Sequence, residues 1–195
     1  MKEFSLKGTV RTEIGKAATR ELRKQDIIPC NIYGVEKNEN GPVAVAFTVP
    51  MGELRNLIYT PNVYIVNINL DGKEVKAIIK EIQFHPTTDK VLHVDFYQIT
   101  EDKDIVIGVP VKLNGLAEGV RAGGRLNLTV RSIKVKAKYT AIPDVLDIDV
   151  THLQIGKSIK VGQLNFEGLQ FATSPEVVVC SIKATRKSIQ AANAE

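Results

Sequence analysis

Apolar and polar residues alternate along much of the first half of the chain. In residues 4–10 and again in residues 91–99, every second side chain is apolar, which is the period of a strand with one buried face. A hairpin is predicted at Asp71-Gly72, because this pair is a strong turn signal between two such runs. The strands predicted for this half cover residues 4–10, 31–34, 43–49, 63–70, 74–83 and 91–99.

Two segments of the same half have a helical pattern instead. Residues 16–25 are rich in strong helix formers, and the helix must end before Ile28-Pro29, since the residue preceding a proline disfavours helical geometry. Residues 50–59 open with Pro50 and carry an apolar stripe on one face, which predicts a second short helix. Residues 36–42, between these segments, are rich in Asn and Gly and are predicted to form a loop.

The pattern changes near residue 100, after a short charged segment. From residue 105 to 183 only strands and turns are predicted, so the second half is expected to be an all-β domain. We therefore predict a mainly β protein with a domain over residues 1–97, a β-rich domain over residues 98–185 and a disordered tail over residues 186–195. The strands of the second domain are predicted at residues 105–113, 126–139, 145–150, 158–161 and 176–183.

Composition excludes several classes of protein. The 195 residues are 44% hydrophobic and 25% charged, so the chain can bury a core without metal or disulfide support. The net charge of +4 permits a polyanionic partner. Neither a signal-peptide segment nor a membrane-spanning run is predicted, and Cys30 and Cys180 form no CxxC motif, so a reducing cytoplasm is expected.

A group of cations lies in the first predicted helix. Their spacing of i, i+4, i+7 and i+8 brings them to one face, and a threonine hydroxyl and the exposed backbone near Gly15 lie beside them. Long cations with a neighbouring hydroxyl suit phosphate oxygens, whereas the alternative is a simply solvated basic face. The residues concerned are Lys16, Thr19, Arg20, Arg23 and Lys24.

The polar face of the last strand of the first domain carries three different functional groups. His93, Asp95 and Tyr97 supply an imidazole, a carboxylate and a phenol in a row, which could contact base edges and riboses. The alternative is a strand face exposed only to water. In the second domain, Lys134, Lys136 and Lys138 also share one strand face, which could contact RNA or keep a sheet edge soluble.

Catalytic and metal-binding patterns are weak. Residues His85, Asp89, His93 and Asp95 include metal-ligating types, but their spacing matches no zinc signature. A Cys30 nucleophile with a distant histidine lacks any flanking signature, and a small buried thiol is the simpler interpretation. The segment 119–125 could form a phosphate-binding nest or only a mobile turn with two arginines.

Three motifs, in this order and spacing, resemble the bacterial large-subunit ribosomal protein twenty-five family, in its long two-domain form of the general stress protein CTC type. The resemblance is specific over the first 97 residues and covers residues 1–185 in all. The motifs are Arg11…Gly15-Lys16-Ala17-Ala18-Thr19-Arg20-Glu21-Leu22-Arg23, Ile28-Pro29…Ile32-Tyr33-Gly34 and His85-Pro86…His93-Val94-Asp95-Phe96.

The resemblance implies a fold and a function. The fold is a small β-barrel-like N-terminal domain with short helices, followed by an all-β C-terminal domain. The function is non-catalytic binding of 5S rRNA in the central protuberance of the 50S subunit, beside other ribosomal RNA and proteins, without cofactor, metal, membrane or small-molecule substrate. By resemblance, the RNA-binding residues are Arg11, Lys16, Thr19, Arg20, Arg23, Tyr33, His85, His93 and Asp95.

The chain departs from the family pattern at three positions. Glu21 stands where many members carry a second basic residue, Phe84 where a basic or polar residue is frequent, and Asn31 where a small or apolar one is usual. Two functions of other classes stay open on the sequence. These are a protein-binding β module or stress factor that acts away from the ribosome, and a hydrolase that uses Cys30 or His85.

Overall fold

The computed structural model describes residues 2–34, 37–38, 41–42, 44–100, 103–166 and 168–186. The chain divides into two compact units, Met1–Lys103 and Asp104–Glu195. Of the tail predicted over residues 186–195, all but Arg186 lies outside the described residues. No helix among the described residues is both long and apolar enough to cross a membrane.

Six strands of the first unit close into a barrel in the order β1-β5-β2-β8-β7-β6. Two of its seams are parallel, β1 with β6 and β2 with β8, and the other four are antiparallel. The elements of this unit are β1 (Lys2–Val10), α1 (Lys16–Lys24), β2 (Ile27–Tyr33), β3 (Lys37–Asn38), β4 (Gly41–Pro42), β5 (Val45–Pro50), α2 (Met51–Ile58), β6 (Tyr64–Leu70), β7 (Lys73–Phe84) and β8 (Val91–Gln98).

The barrel is filled by the apolar residues that alternate along its strands. Phe47 and Phe96 are fully buried at its centre, with ring centroids 5.7 Å apart. Gly8 of β1 permits this packing, because a β-carbon there would lie 2.6 Å from the Phe47 ring. Helix α2 buries Leu54 and Leu57 in the same core, as its apolar stripe predicts.

The second unit is built from short β-sheets. One sheet has the order β12-β9-β11-β14 and another the order β10-β15-β13. The elements are β9 (Ile105–Asn114), α3 (Glu118–Arg121), β10 (Arg125–Leu128), β11 (Ser132–Ala137), β12 (Leu146–Asp149), β13 (Ser158–Lys160), a 3-10 helix (Val161–Gln163), β14 (Gln170–Phe171) and β15 (Val178–Lys183).

The predicted fold class is confirmed: the protein is mainly β, with a barrel-like first domain that carries short helices and a β-rich second domain. The prediction missed β14 and the start of β2 at Ile27, and three further details were wrong. The chain between residues 105 and 183 also contains α3 and a 3-10 helix. The strand expected over residues 126–139 is divided into β10 and β11, and within the predicted loop over residues 36–42, β3 pairs with β4.

The division of the predicted strand has a specific cause. Both Thr129 and Val130 donate their backbone N–H groups to the carbonyl oxygen of Val179, at 2.9 and 3.2 Å. At the next residue, the carbonyl of Arg131 accepts from the backbone N–H of Val111 in β9 at 2.9 Å. The chain therefore leaves one sheet and joins the other within three residues, which an alternating pattern of side chains does not reveal.

Candidate functional site

A polar patch covers the outer face of the barrel where β2, β8 and β7 lie side by side. Asp95 of β8 is the register partner of Asn31 on β2 and of Glu81 on β7, so these three side chains share one face. The apolar neighbours Val94 and Phe96 point into the core and are fully buried. We call this outer face the polar face, and its residues are Asn31, Tyr33, Glu81, Gln83, His93, Asp95 and Tyr97.

His93 and Asp95 form the centre of the polar face. Nδ1 of His93 lies 3.4 Å from Oδ1 of Asp95, and the two side chains are only 17% and 21% exposed. Burial lowers the pKa of His93, and the charges of Arg11 and Arg23 lower it further, while Asp95 opposes the shift. The imidazole is therefore neutral at pH 7. Because Nδ1 of His93 faces the Asp95 carboxylate, the ring proton belongs on Nδ1, and Nε2 is left as a hydrogen-bond acceptor.

Arg11 brings positive charge to this face. It follows β1, where its backbone N–H donates to the carbonyl of Ala46 at 3.0 Å. Its Nε and Nη1 atoms are buried and have no hydrogen-bond partner among the described residues. A cleft of about 430 Å³ runs past Arg11 between the end of β1 and α1. No ion-pair partner among the described residues compensates the charge of this guanidinium, so it attracts an anion such as phosphate to this part of the barrel surface.

Helix α1 presents cations to solvent rather than packing into the core. None of its residues is buried, and it starts at Gly15, whose φ of +134° disfavours other residues. The Thr19 hydroxyl donates back to the carbonyls of Gly15 and Lys16, at 3.0 and 3.1 Å. The hydroxyl proton is thus used within the helix, and only the oxygen lone pairs of Thr19 can accept from a donor outside the chain.

The four cations of α1 are not equivalent. Arg23 donates from Nε to the carbonyl oxygen of Leu92 at 3.0 Å, which fixes the helix to the start of β8. Lys24 pairs with Glu21 at 3.0 Å, so the acidic departure from the family pattern neutralises a lysine of the same helix. Lys16 and Arg20 are exposed and have no ion-pair partner among the described residues. These two are therefore the cations of α1 that are most accessible to phosphates, while Arg23 combines a structural contact with its charge.

His85 organises the turn between β7 and β8. Its Nδ1 accepts from the backbone N–H groups of Thr87 and Thr88, at 3.3 and 3.4 Å, and lies 3.1 Å from the Thr87 hydroxyl. Because Nδ1 accepts, the ring proton of the neutral imidazole belongs on Nε2, where it can be donated outward. The turn follows β7, whose second-last residue, Gln83, pairs in register with His93. His85 therefore lies at the same end of the polar face.

Tyr33 and Tyr97 close the opposite end of the polar face. Their rings meet edge to face with centroids 5.9 Å apart. Burial raises the pKa of Tyr33, and the carboxylates of Asp95 and Glu81 raise it further, so the phenol stays protonated. Gly34 has a φ of +137°, and a β-carbon there would lie 3.0 Å from the Tyr97 ring, which explains the Tyr-Gly pair.

Glu81 and Gln83 belong to the polar face but were not predicted as site residues. The register between β7 and β8 shifts between Ile79 and Glu81, where a bulge places Lys80. As a result Ile79 and Ile82 both contact the core although they are three residues apart. Strict alternation continued from Ile79 would have turned Glu81 and Gln83 toward the core, and the bulge instead places both on the outer face.

The alternative of a cysteine nucleophile does not fit the structure. Cys30 is fully buried in the barrel core, and its thiol contacts the carbonyl of Ile28 at 3.6 Å. Burial raises the pKa of Cys30 to about 12, so the reactive thiolate is not populated at neutral pH. Within the described residues, no cluster of three or more histidine, cysteine or acidic side chains could hold a metal ion.

Comparison with known proteins agrees with this architecture. The sequence model of the Ribosomal L25p family matches residues 6–96, and that of the Ribosomal protein TL5, C-terminal domain, matches residues 104–186. A relative from Phocaeicola vulgatus is 59% identical over 193 residues, which cover 98% of each chain. A relative from Bacteroides thetaiotaomicron is 51% identical over 199 residues, covering 100% of this chain and 98% of its own. Both are named large ribosomal subunit protein bL25.

The first domain is a closed barrel with a cationic helix, the second is a β unit, and sequence models of ribosomal proteins match both. These features define a ribosomal protein of two domains rather than an enzyme. The chain belongs to the ribosomal L25p family, in its long form with a C-terminal domain of the TL5 type. The family resemblance found in the sequence and the prediction of a non-enzymatic protein are both confirmed.

Proposed function

We propose that this protein is a cytoplasmic structural component of the large ribosomal subunit that binds 5S rRNA within the central protuberance. The Arg11 guanidinium is the observation that carries the proposal: two of its nitrogen atoms are buried without a partner, beside the neutral His93 and its Asp95 neighbour. A cation, an acceptor and a carboxylate in one patch match the mixed donors and acceptors of an RNA surface. Relatives named as large ribosomal subunit proteins support this assignment.

In this proposal, α1 and Arg11 position the RNA by its backbone. Lys16 and Arg20 extend into solvent without ion-pair partners in the described chain, and contacts to phosphate set register without reading sequence. Arg23 keeps the helix against β8, so the phosphate contacts are held at a fixed position relative to the polar face. Thr19 donates its hydroxyl proton within the helix, so its oxygen can accept from a ribose 2′-hydroxyl of the same RNA backbone.

The polar face supplies the selective contacts. His93 offers an acceptor at Nε2, Asp95 accepts from exocyclic amino groups, and the protonated Tyr33 phenol can donate or stack. A sheet face suits the wide, shallow minor groove of an RNA helix or an irregular loop, whereas the deep major groove excludes it. His85 adds an outward Nε2–H at one end of the same surface.

A salt titration of binding to 5S rRNA, against a control RNA of the same length, tests this function. We expect tight binding that prefers 5S rRNA, with log affinity falling steeply with log salt concentration because several phosphates are neutralised. The preference for 5S rRNA should persist as salt rises, since base and ribose contacts release few counterions. Equal binding of the two RNAs at every salt concentration would show that the proposed specificity is absent.

A further inference from the structure

The second unit carries a cationic surface that the proposed function does not use. In the sheet β10-β15-β13, the register places Arg125 directly opposite Lys183. The next row of the same face, two residues along each strand, contains Asn127, Ser181 and Ser158 as consecutive neighbours. Arg125, Asn127 and Lys183 are exposed. Two long cations thus lie next to three small side chains that can donate hydrogen bonds.

This arrangement is electrostatically unfavourable in the isolated chain. Like charges directly opposite on neighbouring strands repel each other, and neither cation takes part in an ion pair of the described residues. Two lysines of the unit have carboxylate partners: Lys160 lies 2.7 Å from Glu176, and Lys136 lies 4.0 Å from Asp104. Arg125 and Lys183 instead lie directly opposite each other, and no carboxylate of the described residues pairs with either one.

The flanking turn adds charge and is held firmly in place. Gly124 donates to the carbonyl of Gly119 at 2.8 Å, and a β-carbon on Gly124 would lie 2.6 Å from Ile182, so the turn packs closely on β15. After β15, the Thr185 hydroxyl donates to the carbonyl of Gly123 at 2.6 Å. These contacts hold the exposed Arg121 and Arg186 on segments that border the sheet.

We infer that this surface binds the phosphodiester backbone of an RNA helix, as a second RNA contact independent of the polar face. We call it the second basic surface, and define it by Arg121, Arg125, Asn127, Ser158, Ser181, Lys183 and Arg186. Arginine and lysine neutralise phosphates, while serine and asparagine side chains donate to phosphate oxygens, as they do throughout nucleic-acid interfaces. The paired cations lose their mutual repulsion when an anion lies between them. Contacts of this kind do not read sequence.

The test compares two double variants of the full chain that lose the same charge. Arg125→Gln with Lys183→Gln removes the proposed contacts, and Lys136→Gln with Lys160→Gln removes two cations that already have carboxylate partners. Each variant is titrated with a short RNA duplex unrelated to 5S rRNA, at several salt concentrations. We expect the first variant to reduce the slope of log affinity against log salt by about 2, roughly 1 for each phosphate contact, and the control to leave it unchanged. Equal slopes for both variants would overturn the inference.

A crosslink locates the contact directly. Asn127→Cys places a thiol on the second basic surface, and the native Cys30 and Cys180 are both buried, so a photoreactive reagent labels the new position selectively. We expect an RNA adduct with the duplex that disappears when Arg125→Gln and Lys183→Gln are added. Adduct formation no higher than in the wild-type chain, or unchanged by the charge variants, would contradict the inference.

The outcome for this surface is separable from the outcome for 5S rRNA. If the chain shows no preference for 5S rRNA but the slope and the adduct depend on Arg125 and Lys183, only the proposed function fails. If 5S rRNA is preferred and neither readout responds to these substitutions, only the second basic surface is wrong. A circular dichroism melt of each variant shows that the sheets remain folded.

Discussion

At the scale of single residues, His93 links the acidity of the medium to the stability of the barrel. Its pKa lies below the ordinary value of 6.5, mainly because the ring is buried. As the pH falls, the unfolded chain therefore binds the proton before the folded chain does. The neutral His93 ring therefore makes its full contribution to the free energy of unfolding above about pH 6.5. This contribution is lost as the pH falls through the pKa of His93 in the folded protein.

We predict that His93→Gln makes the protein less sensitive to mild acid. The free energy of unfolding, measured in urea from about pH 8 to about pH 5, should fall less in this variant than in the wild type. His152→Gln is the matched control, because that side chain is 88% exposed. If both variants lose stability with pH as steeply as the wild type, His93 does not titrate as its surroundings indicate.

A second prediction at this scale concerns Asp95. Asp95→Asn keeps the shape of the side chain but replaces one acceptor with a donor, so a contact to an amino group is lost. We expect binding to 5S rRNA to weaken by about 1–3 kcal/mol, the range of a good base-edge contact, with a smaller loss for a control RNA. Asp71→Asn removes the same charge from an exposed turn of the same unit and serves as the control. Equal losses on both RNAs would indicate a general charge effect.

At the scale of secondary-structure elements, different residues of α1 serve phosphate binding and structural support. Arg20→Ala removes an exposed cation, so we expect weaker RNA binding and a salt slope reduced by about 0.7–0.9, without loss of stability. Arg23→Ala should reduce the slope and also lower the melting temperature, because Arg23 donates to the carbonyl of Leu92. Salt titrations and thermal melts of both variants measure these effects.

The control for α1 is Lys24→Ala, which removes a lysine already paired with Glu21. Its salt slope should change less than that of Arg20→Ala, since an ion-paired cation contributes less to counterion release. If Arg20→Ala binds RNA with the affinity and slope of the wild type, the assignment of α1 to phosphate contacts is wrong.

The elements also show how far a sequence alone can predict this structure. Strong side-chain periodicity identified β1, β8, α1 and α2, with ends within two residues of the structure. The division of residues 126–139 depends on two N–H groups that share the carbonyl of Val179, a contact across about fifty residues of sequence. Similarly, the start of α3 is held by distant residues, because Glu118 and Gly119 donate their backbone N–H groups to the carbonyls of Thr151 and Leu153, both at 2.9 Å. Tertiary contacts therefore determine both the break between β10 and β11 and the position of α3, and a local sequence pattern contains no record of them.

The candidate site was predictable to the extent that it follows regular alternation. The sequence placed His93 and Asp95 on one face, and the structure brings them within 3.4 Å. It did not predict the approach of Arg11 to these residues, because that depends on how β1 closes the barrel. The bulge at Lys80 likewise concealed Glu81 and Gln83.

At the scale of the whole molecule, the chain divides into two units, and the first unit has a buried core of its own. The first unit has a closed barrel with its own buried cluster, and about 100 residues are enough for an independent domain. We predict that residues 1–103 alone unfold in one cooperative transition and keep the preference for 5S rRNA over a control RNA. Urea unfolding and RNA titration of this fragment measure both. A fragment that is folded but binds both RNAs equally would show that specificity needs the second unit.

The parallel seam between β1 and β6 has a consequence for synthesis of the chain. Lys2 is aligned with Tyr64, so β1 must wait during synthesis for about sixty further residues before this partner exists. β2 likewise waits for β8, whose residue 94 aligns with Cys30. Contacts between distant segments form late because the intervening chain must first be ordered. The polar face is thus assembled only when the barrel closes, and a nascent or truncated chain that lacks β8 presents no such face.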